Sequence, residues 1–234
     1  EESEALLDKF MEDPASITFE EIEQAVRKAT IEGKITPVLC GSSFKNKGVQ
    51  LLLDAVCMYL PSPEDKSAVV GKHPDNGREE VRLPSEAEPF SGLVFKIATD
   101  SYVGKVAFVR VYSGTLNAGE TVLNTYSGKR ERVARLFEMH ANKQIPMDSV
   151  SAGNICAVVG LKKVPTGTTI CDEKHPLMLE SMEFPEPVIS IAVEPKTQDD
   201  IDKLDETLQK LSEEDPTFKT YTNQETGQTI IAGM

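Results

Sequence analysis

Between Pro89 and Glu183 the apolar residues come in short runs broken by turn residues, and this constrains the fold of the 234-residue chain more than any other feature. Phe90 to Ile97, Val103 to Ser113 and Glu120 to Thr125 are separated by Gly104, Gly114 and Gly119. Lys129 to His140 follows a Tyr126-Ser127-Gly128 turn, and Ile155 to Val159 lies between Ala152-Gly153 and Thr166-Gly167-Thr168. Runs of this length, rich in β-branched and aromatic residues, suit a pleated, half-buried surface better than a helix. They predict an all-β barrel or sandwich of about 95 residues.

The flanks differ in kind. Thr18 and Glu21 fit a T-x-x-E capping box, and Phe19, Ile22, Val26 and Ala29 follow at helical spacing up to Gly33, which predicts a helix. Ile35 to Cys40 reads as a strand buried on both faces, and Val49 to Leu60 as a helix stopped by Pro61. Strand, loop and helix make one unit of an α/β sheet. One strand makes no sheet, and Ile35, Val38 and Leu39 would each forfeit about 1.5–3 kcal/mol if left in water. The rest of that sheet is therefore expected outside these residues. Residues 61–84 hold four prolines and two glycines without a hydrophobic period and read as a linker or ordered loop. Beyond 185, Val188 to Val193 alternates as a strand. Thr197 and Asp200 resemble a second capping box, ahead of a helix carrying Ile201, Leu204, Leu208 and Leu211 on one face and ended by Pro216. Phe218 to Thr222 and Thr229 to Ala232 complete a β-α-β-β order, the opening of a ferredoxin-like domain. The chain starts at Glu1 and stops at Gly233-Met234, directly after an apolar run, so both ends read as cut boundaries.

A net charge of −13 opposes nucleic-acid binding, since phosphate contacts need Lys and Arg. The distribution qualifies the sum. Residues 1–60 carry 6 basic and 11 acidic side chains and 186–234 carry 4 and 11, while 85–184 carry 11 of each. No apolar run approaches the roughly 20 residues that span a bilayer, and the first ten residues are acidic, unlike a signal peptide. A cytoplasmic chain is expected, with Cys40, Cys57, Cys156 and Cys171 as buried thiols, since all four sit in apolar segments without C-x-x-C spacing.

Catalytic and metal-ligating constellations are not found. His73, His140 and His175 stand apart in sequence and outside any Zn or nucleophile motif, and they read as surface or turn residues. No G-x-x-x-x-G-K-[ST] phosphate loop is present. Asn46-Lys47-Gly48-Val49 and Asn142-Lys143-Gln144-Ile145 begin like the guanine-specifying N-K-x-D but lack its carboxylate. Gly41-Ser42-Ser43-Phe44 lies at the end of the strand-like run and before a helix, where α/β sheets bind ligands. By itself it is a ligand loop or an ordinary turn. In the barrel segment Lys129, Arg130, Arg132 and Arg135 cluster. Strand alternation puts Arg130 and Arg132 on one side, either toward RNA phosphates or on a solvated face.

At this point the residues resemble a known family over essentially the whole chain. Ile35-Thr-Pro-Val-Leu-Cys-Gly-Ser-Ser-Phe-Lys-Asn-Lys-Gly-Val-Gln50 is similar to the end of the G domain of elongation factor G, and Leu53-Asp-Ala-Val with Tyr59-Leu-Pro-Ser-Pro63 to its last helix and exit. Glu88-Pro-Phe90, Val111-Tyr-Ser-Gly-Thr-Leu116 and Met139-His-Ala-Asn142 resemble its second domain. Cys171-Asp-Glu-Lys-His-Pro176, Glu183-Phe-Pro-Glu-Pro-Val-Ile189 and Glu214-Asp-Pro-Thr-Phe218 resemble its third.

The resemblance implies a multidomain chain: an α/β remnant of a P-loop GTPase domain with part of its insertion (1–60), a linker (61–84), an all-β translation-factor barrel (85–184) and an incomplete ferredoxin-like domain (185–234). It implies a ribosomal translocase using GTP with Mg in the full-length protein, with no catalytic residue, metal or bound cofactor expected in this portion. Gly41, Ser42, Ser43 and Phe44 would meet the guanine base through backbone amides; the family commonly has Ala where Ser43 stands. Lys129, Arg130 and Arg132 would face small-subunit ribosomal RNA, with no DNA or membrane partner. A stand-alone ribosome-binding or RNA-binding barrel module is the reading from another class. Ribosomal protection proteins and the release-factor GTPase are the nearest relatives within the class.

Overall fold

The computed structural model describes residues 3–65, 68–100, 103–141, 143–179, 182, 184–195 and 197–234. Glu1, Asn142 and Glu183, which belong to motifs named above, lie outside the described residues. Internal contacts divide the chain into two units, residues 1–67 and 68–234.

Among the described residues the first unit holds three α-helices, α1 (Glu4–Glu12), α2 (Phe19–Ile31) and α3 (Val49–Tyr59). The predicted capping box forms: the Glu21 amide donates to Thr18 Oγ1 at 3.3 Å, and the Thr18 amide donates to Glu21 Oε2 at 3.0 Å. Lys9 also pairs with Glu21, and together these bonds hold the Glu21 carboxyl below its ordinary range, Lys9 contributing most. Helix α2 is tied to the end of α3 by Arg27, which donates to the Met58 carbonyl at 2.6 Å and pairs with Asp65. The segment 35–40 is not a strand. Among the described residues no ladder partner lies beside it, and Val38 is 88% exposed, with Ile35 and Leu39 exposed as well.

The second unit opens with a hairpin of β1 (Val69–Lys72) and β2 (Glu79–Arg82) inside the stretch expected to be linker. Lys72 exchanges two 2.8 Å backbone bonds with Met178, and Val69 packs with Leu93, Leu177 and Leu179. The strands are four residues long, too short to show a period, and their docking partner lies roughly a hundred residues away in sequence, a distance no local pattern reports.

Ten strands follow among the described residues: β3 (Ser91–Asp100), β4 (Gly104–Ser113), β5 (Thr115–Asn117), β6 (Thr121–Asn124), β7 (Lys129–Arg132), β8 (Arg135–His140), β9 (Lys143–Met147), β10 (Ser149–Ser151), β11 (Ile155–Val159) and β12 (Thr169–Cys171). Eight of them form one antiparallel sheet in the order β7-β6-β12-β3-β4-β11-β8-β9, and β5 pairs with β10. The run expected as one strand from Lys129 to His140 is two strands, broken at Val133-Ala134. That break closes the fold. Strand β7 ends one side of the sheet and β8 lies near the other, yet only two residues join them, so the sheet must curl onto itself as a barrel. Inward residues of alternate strand positions fill it, among them Val94, Ile97, Val109, Val111, Leu136, Val158 and Ile170.

The last portion pairs β13 (Ile189–Val193), β15 (Thr229–Gly233) and β14 (Lys219–Thr222) in the order β13-β15-β14, with α4 (Ile201–Glu214) following β13. This fits the first three strands of a βαββαβ sheet. The second capping box does not form. Thr197 Oγ1 donates to the Asp200 carboxylate at 2.6 Å and caps no amide, because a 3₁₀ turn over Gln198–Asp200 intervenes. Helix α4 lies against β3, and Lys105 of β4 pairs with Glu213 at 3.1 Å.

Two of the four cysteines contradict the expectation of burial: Cys40 and Cys57 are exposed, Cys156 and Cys171 buried, and all four are free thiols. Burial pushes the Cys156 thiol up to about 12 and raises that of Cys171. The thiolate is the reactive form. Under native conditions a maleimide should therefore modify two cysteines promptly, and the other two only when denaturant opens the barrel. Mass spectrometry of the labelled peptides checks this, and fast labelling of Cys156 would contradict the barrel core.

Candidate functional site

Two sequence-predicted sites lie in separate units. In the first, Gly41, Ser42, Ser43 and Phe44 open a tight loop that returns to α3. The Ser42 amide donates to the Lys47 carbonyl at 2.9 Å, and the Lys47 amide donates back to Ser42 at 3.0 Å. Ser43–Lys45 forms a single 3₁₀ turn ending at Asn46, which has φ +50°. Gly41 and Gly48 face each other so closely that a Cβ on Gly48 would stand 3.2 Å from the Gly41 Cα. The amides of Ser43 and Phe44 open the turn, so they have no partner within it. Ser43 borders a concavity of about 230 Å³ that is also lined by Leu39, Ser42, Val49 and Leu52, while the Phe44 side chain is 98% exposed. Free amides beside an apolar wall can meet a flat ring bearing a carbonyl oxygen. Nothing in this loop resembles a phosphate cradle.

The second site is on the barrel. Along β7 Glu131 is half-buried, while Lys129, Arg130 and Arg132 are all exposed. Arg130 pairs with Glu173, both well exposed, and such a pair contributes little. The structure adds what the sequence does not show. Lys162 and Lys163 come beside β7 and share with Lys129, Arg130 and Arg132 a cleft of about 350 Å³. Roughly thirty residues separate the two groups, and only the closure of the barrel joins them. Among the described residues Lys129, Arg132, Lys162 and Lys163 have no ion-pair partner. His73 and His175 sit in turns: His73 Nδ1 accepts from the Asp75 amide at 3.2 Å, and the His175 amide donates to Asp172 Oδ1 at 3.0 Å. Among the described residues no group of three His, Cys, Asp or Glu is placed to hold a metal, and no helix is long and apolar enough to cross a membrane.

Residues 104–171 match the family profile of elongation factor Tu domain 2, and residues 184–234 that of elongation factor G, domain III. Over all 234 residues the chain is 57% identical to the elongation factor G of Amoebophilus asiaticus (strain 5a2). The chain belongs to the elongation factor G family. It spans 33% of the length of that relative. A crystal structure of a Thermus thermophilus protein matches 99% of the chain at a TM-score of 0.74 and 27% identity, the chain covering 32% of it. The barrel and the three-stranded sheet with α4 are thus the second and third domains of this family's fold.

Proposed function

We propose that this chain is the central portion of a ribosomal translocase, which hydrolyses GTP on the ribosome to move tRNAs and mRNA during elongation in the cytoplasm. The observation that carries the reading is the identity of 57% along the whole chain to an elongation factor G. In this reading residues 1–60 are part of a G domain and its insertion, 61–84 the exit segment with its docked hairpin, 85–184 the second domain and 185–234 the start of the third. The exposed apolar side chains of Ile35, Val38, Leu39, Leu51 and Leu53 support the first assignment, because a sheet of the G domain would cover them. They also weigh against a stand-alone binding module.

Within the intact protein the amides of the loop from Gly41 through Phe44 meet the guanine base of GTP or GDP, an interaction the backbone supplies whether Ala or Ser stands at position 43. The phosphates and Mg are held elsewhere in the protein, since no phosphate loop occurs in this sequence, and the chain alone is not a GTPase.

The barrel meets small-subunit ribosomal RNA through Lys129, Arg130 and Arg132. With Arg130 and Arg132 both changed to Ala in the full-length factor, ribosome affinity should fall and the salt slope, d log K/d log[salt], should flatten by about 1.5–2, as for two lost phosphate contacts. Binding that is unchanged across a salt series removes this face from the interface.

A further inference from the structure

We propose that the cleft between β7 and residues 160–163 is a single phosphodiester-binding site, in which Lys162 and Lys163 act with the cations of β7 and Glu131 is the positioning residue that assembles them. The proposal rests on the reading that this barrel faces RNA, and it adds members and an organising device that the β7 sequence does not contain.

The cleft is built by close contact. Gly160 has φ +115°, and a Cβ there would lie 2.7 Å from the Ala134 Cβ, 2.8 Å from the Ala134 amide nitrogen and 2.9 Å from the Arg132 carbonyl oxygen. The chain therefore passes over the end of β7 at a distance only glycine permits. Directly beyond, the Glu131 carboxylate accepts from two successive backbone amides, those of Lys162 and, at 3.3 Å, Lys163. It also accepts from Asn124 Nδ2 at 2.7 Å. Asn124 is fully buried and donates to the Lys163 carbonyl at 2.8 Å, while its own oxygen accepts from the Tyr126 amide at 2.9 Å and the Ser127 amide at 3.2 Å. Two side chains thus fix the backbone of Lys162-Lys163 and the turn leading into Lys129.

Among the described residues Glu131 forms no ion pair with any of the five cations around it; its oxygens are occupied by N–H groups. A carboxylate spent on backbone amides leaves the lysine and arginine heads available, whereas one spent on the heads would cancel them. The acidic remainder of the chain does not abolish the local field, because at physiological salt charges more than about 8 Å away are screened. Phosphates can approach where cations from two segments converge, and each cation that displaces a counterion adds to the salt dependence.

Glu131→Gln separates positioning from simple charge. It deletes a negative charge from a basic cleft, so unaided electrostatics predicts equal or tighter RNA binding; the positioning role predicts binding to isolated small ribosomal subunits weakened by about three- to tenfold, because the two backbone N–H groups donate to different carboxylate oxygens and an amide puts an NH2 donor in place of one of them. Lys162→Ala/Lys163→Ala, at exposed positions that leave the fold intact, should flatten the salt slope by about 1.5–2. All variants are compared in the full-length factor over a salt series. If the lysine pair changes nothing while Arg130→Ala/Arg132→Ala weakens binding, the composite site is overturned and the RNA-facing barrel survives. If neither pair has an effect, the RNA-facing reading itself fails. If Glu131→Gln binds as tightly or more tightly, the positioning role is overturned whatever the lysines do.

Discussion

Gly114→Ala should destabilise the barrel by about 3 kcal/mol or more, lowering its unfolding midpoint by at least about 12 °C. Gly114 joins β4 to β5 at φ +69°, a left-handed conformation that costs a residue with a Cβ roughly 1–2 kcal/mol. Strain is the smaller part. A Cβ at this position would lie 2.6 Å from the Glu88 carbonyl oxygen and 2.6 Å from both the amide nitrogen and Cα of Phe90. All three are backbone atoms, so no rotamer change relieves the clash, and overpacking adds about 1–3 kcal/mol. The turn cannot drift away, because the Gly114 amide donates to the Ser85 carbonyl and its own carbonyl accepts from the Ala152 amide, each at 2.9 Å. Beside it the buried hydroxyls of Ser91 and Ser113 share a 2.7 Å bond. Gly104→Ala is the control. Gly104 has φ +75°, but a methyl there would meet nothing within 4 Å, so it should show the strain alone. Equal losses for the two variants, measured by thermal melts monitored by circular dichroism, would refute the close approach at Gly114.

What is legible in the sequence is what local chemistry determines. The Thr18 and Glu21 cap needs only neighbours within one turn, and it forms. Ile155–Val159 is apolar along its length and bounded by turn residues, and it is a central strand with β4 on one side and β8 on the other. Strand β9 is hidden because Pro146 interrupts it, yet β9 ends the sheet, the place where proline is tolerated. Strand β12 has three residues, too few for any period. The apolar run from Ile35 to Cys40 misleads in the opposite direction, since its pattern suits a doubly buried strand carrying a buried thiol. Such burial needs a sheet beside the run, and the described residues supply none. In the cleft, β7 is readable and the role of Lys162-Lys163 is not. The sequence marks both as basic, but their meeting depends on the glycine crossing at Gly160 and on the joining of β7 to β8 through two residues.

Amide hydrogen exchange should divide the chain sharply at the boundary between its two units. Among the described residues of the first unit, the only buried hydrophobic side chains are Ala29 and Ala55, each with a single methyl to remove from water. The barrel instead buries residues such as Val94, Ile97, Leu136 and Ile170, each contributing about 1.5–3 kcal/mol. Helices of nine to thirteen residues are marginal without tertiary packing, so α1, α2 and α3 should open by local unfolding while β3, β4 and β11 exchange only when the whole barrel opens. At equal intrinsic rates, amides at the centres of those strands should be protected at least about a thousandfold more than those of α3, equivalent to about 4 kcal/mol. Comparable protection in α3 and β4 would mean that the first unit is held by packing its burial does not reveal. The same amides in the full-length factor carry the functional argument. Leu51 is 70% exposed and Val38 88% exposed; if a G-domain sheet covers that face, protection of α3 should rise toward that of the barrel. Protection that stays low in the longer protein would leave the apolar face uncovered and remove the physical support for assigning residues 1–60 to a G domain.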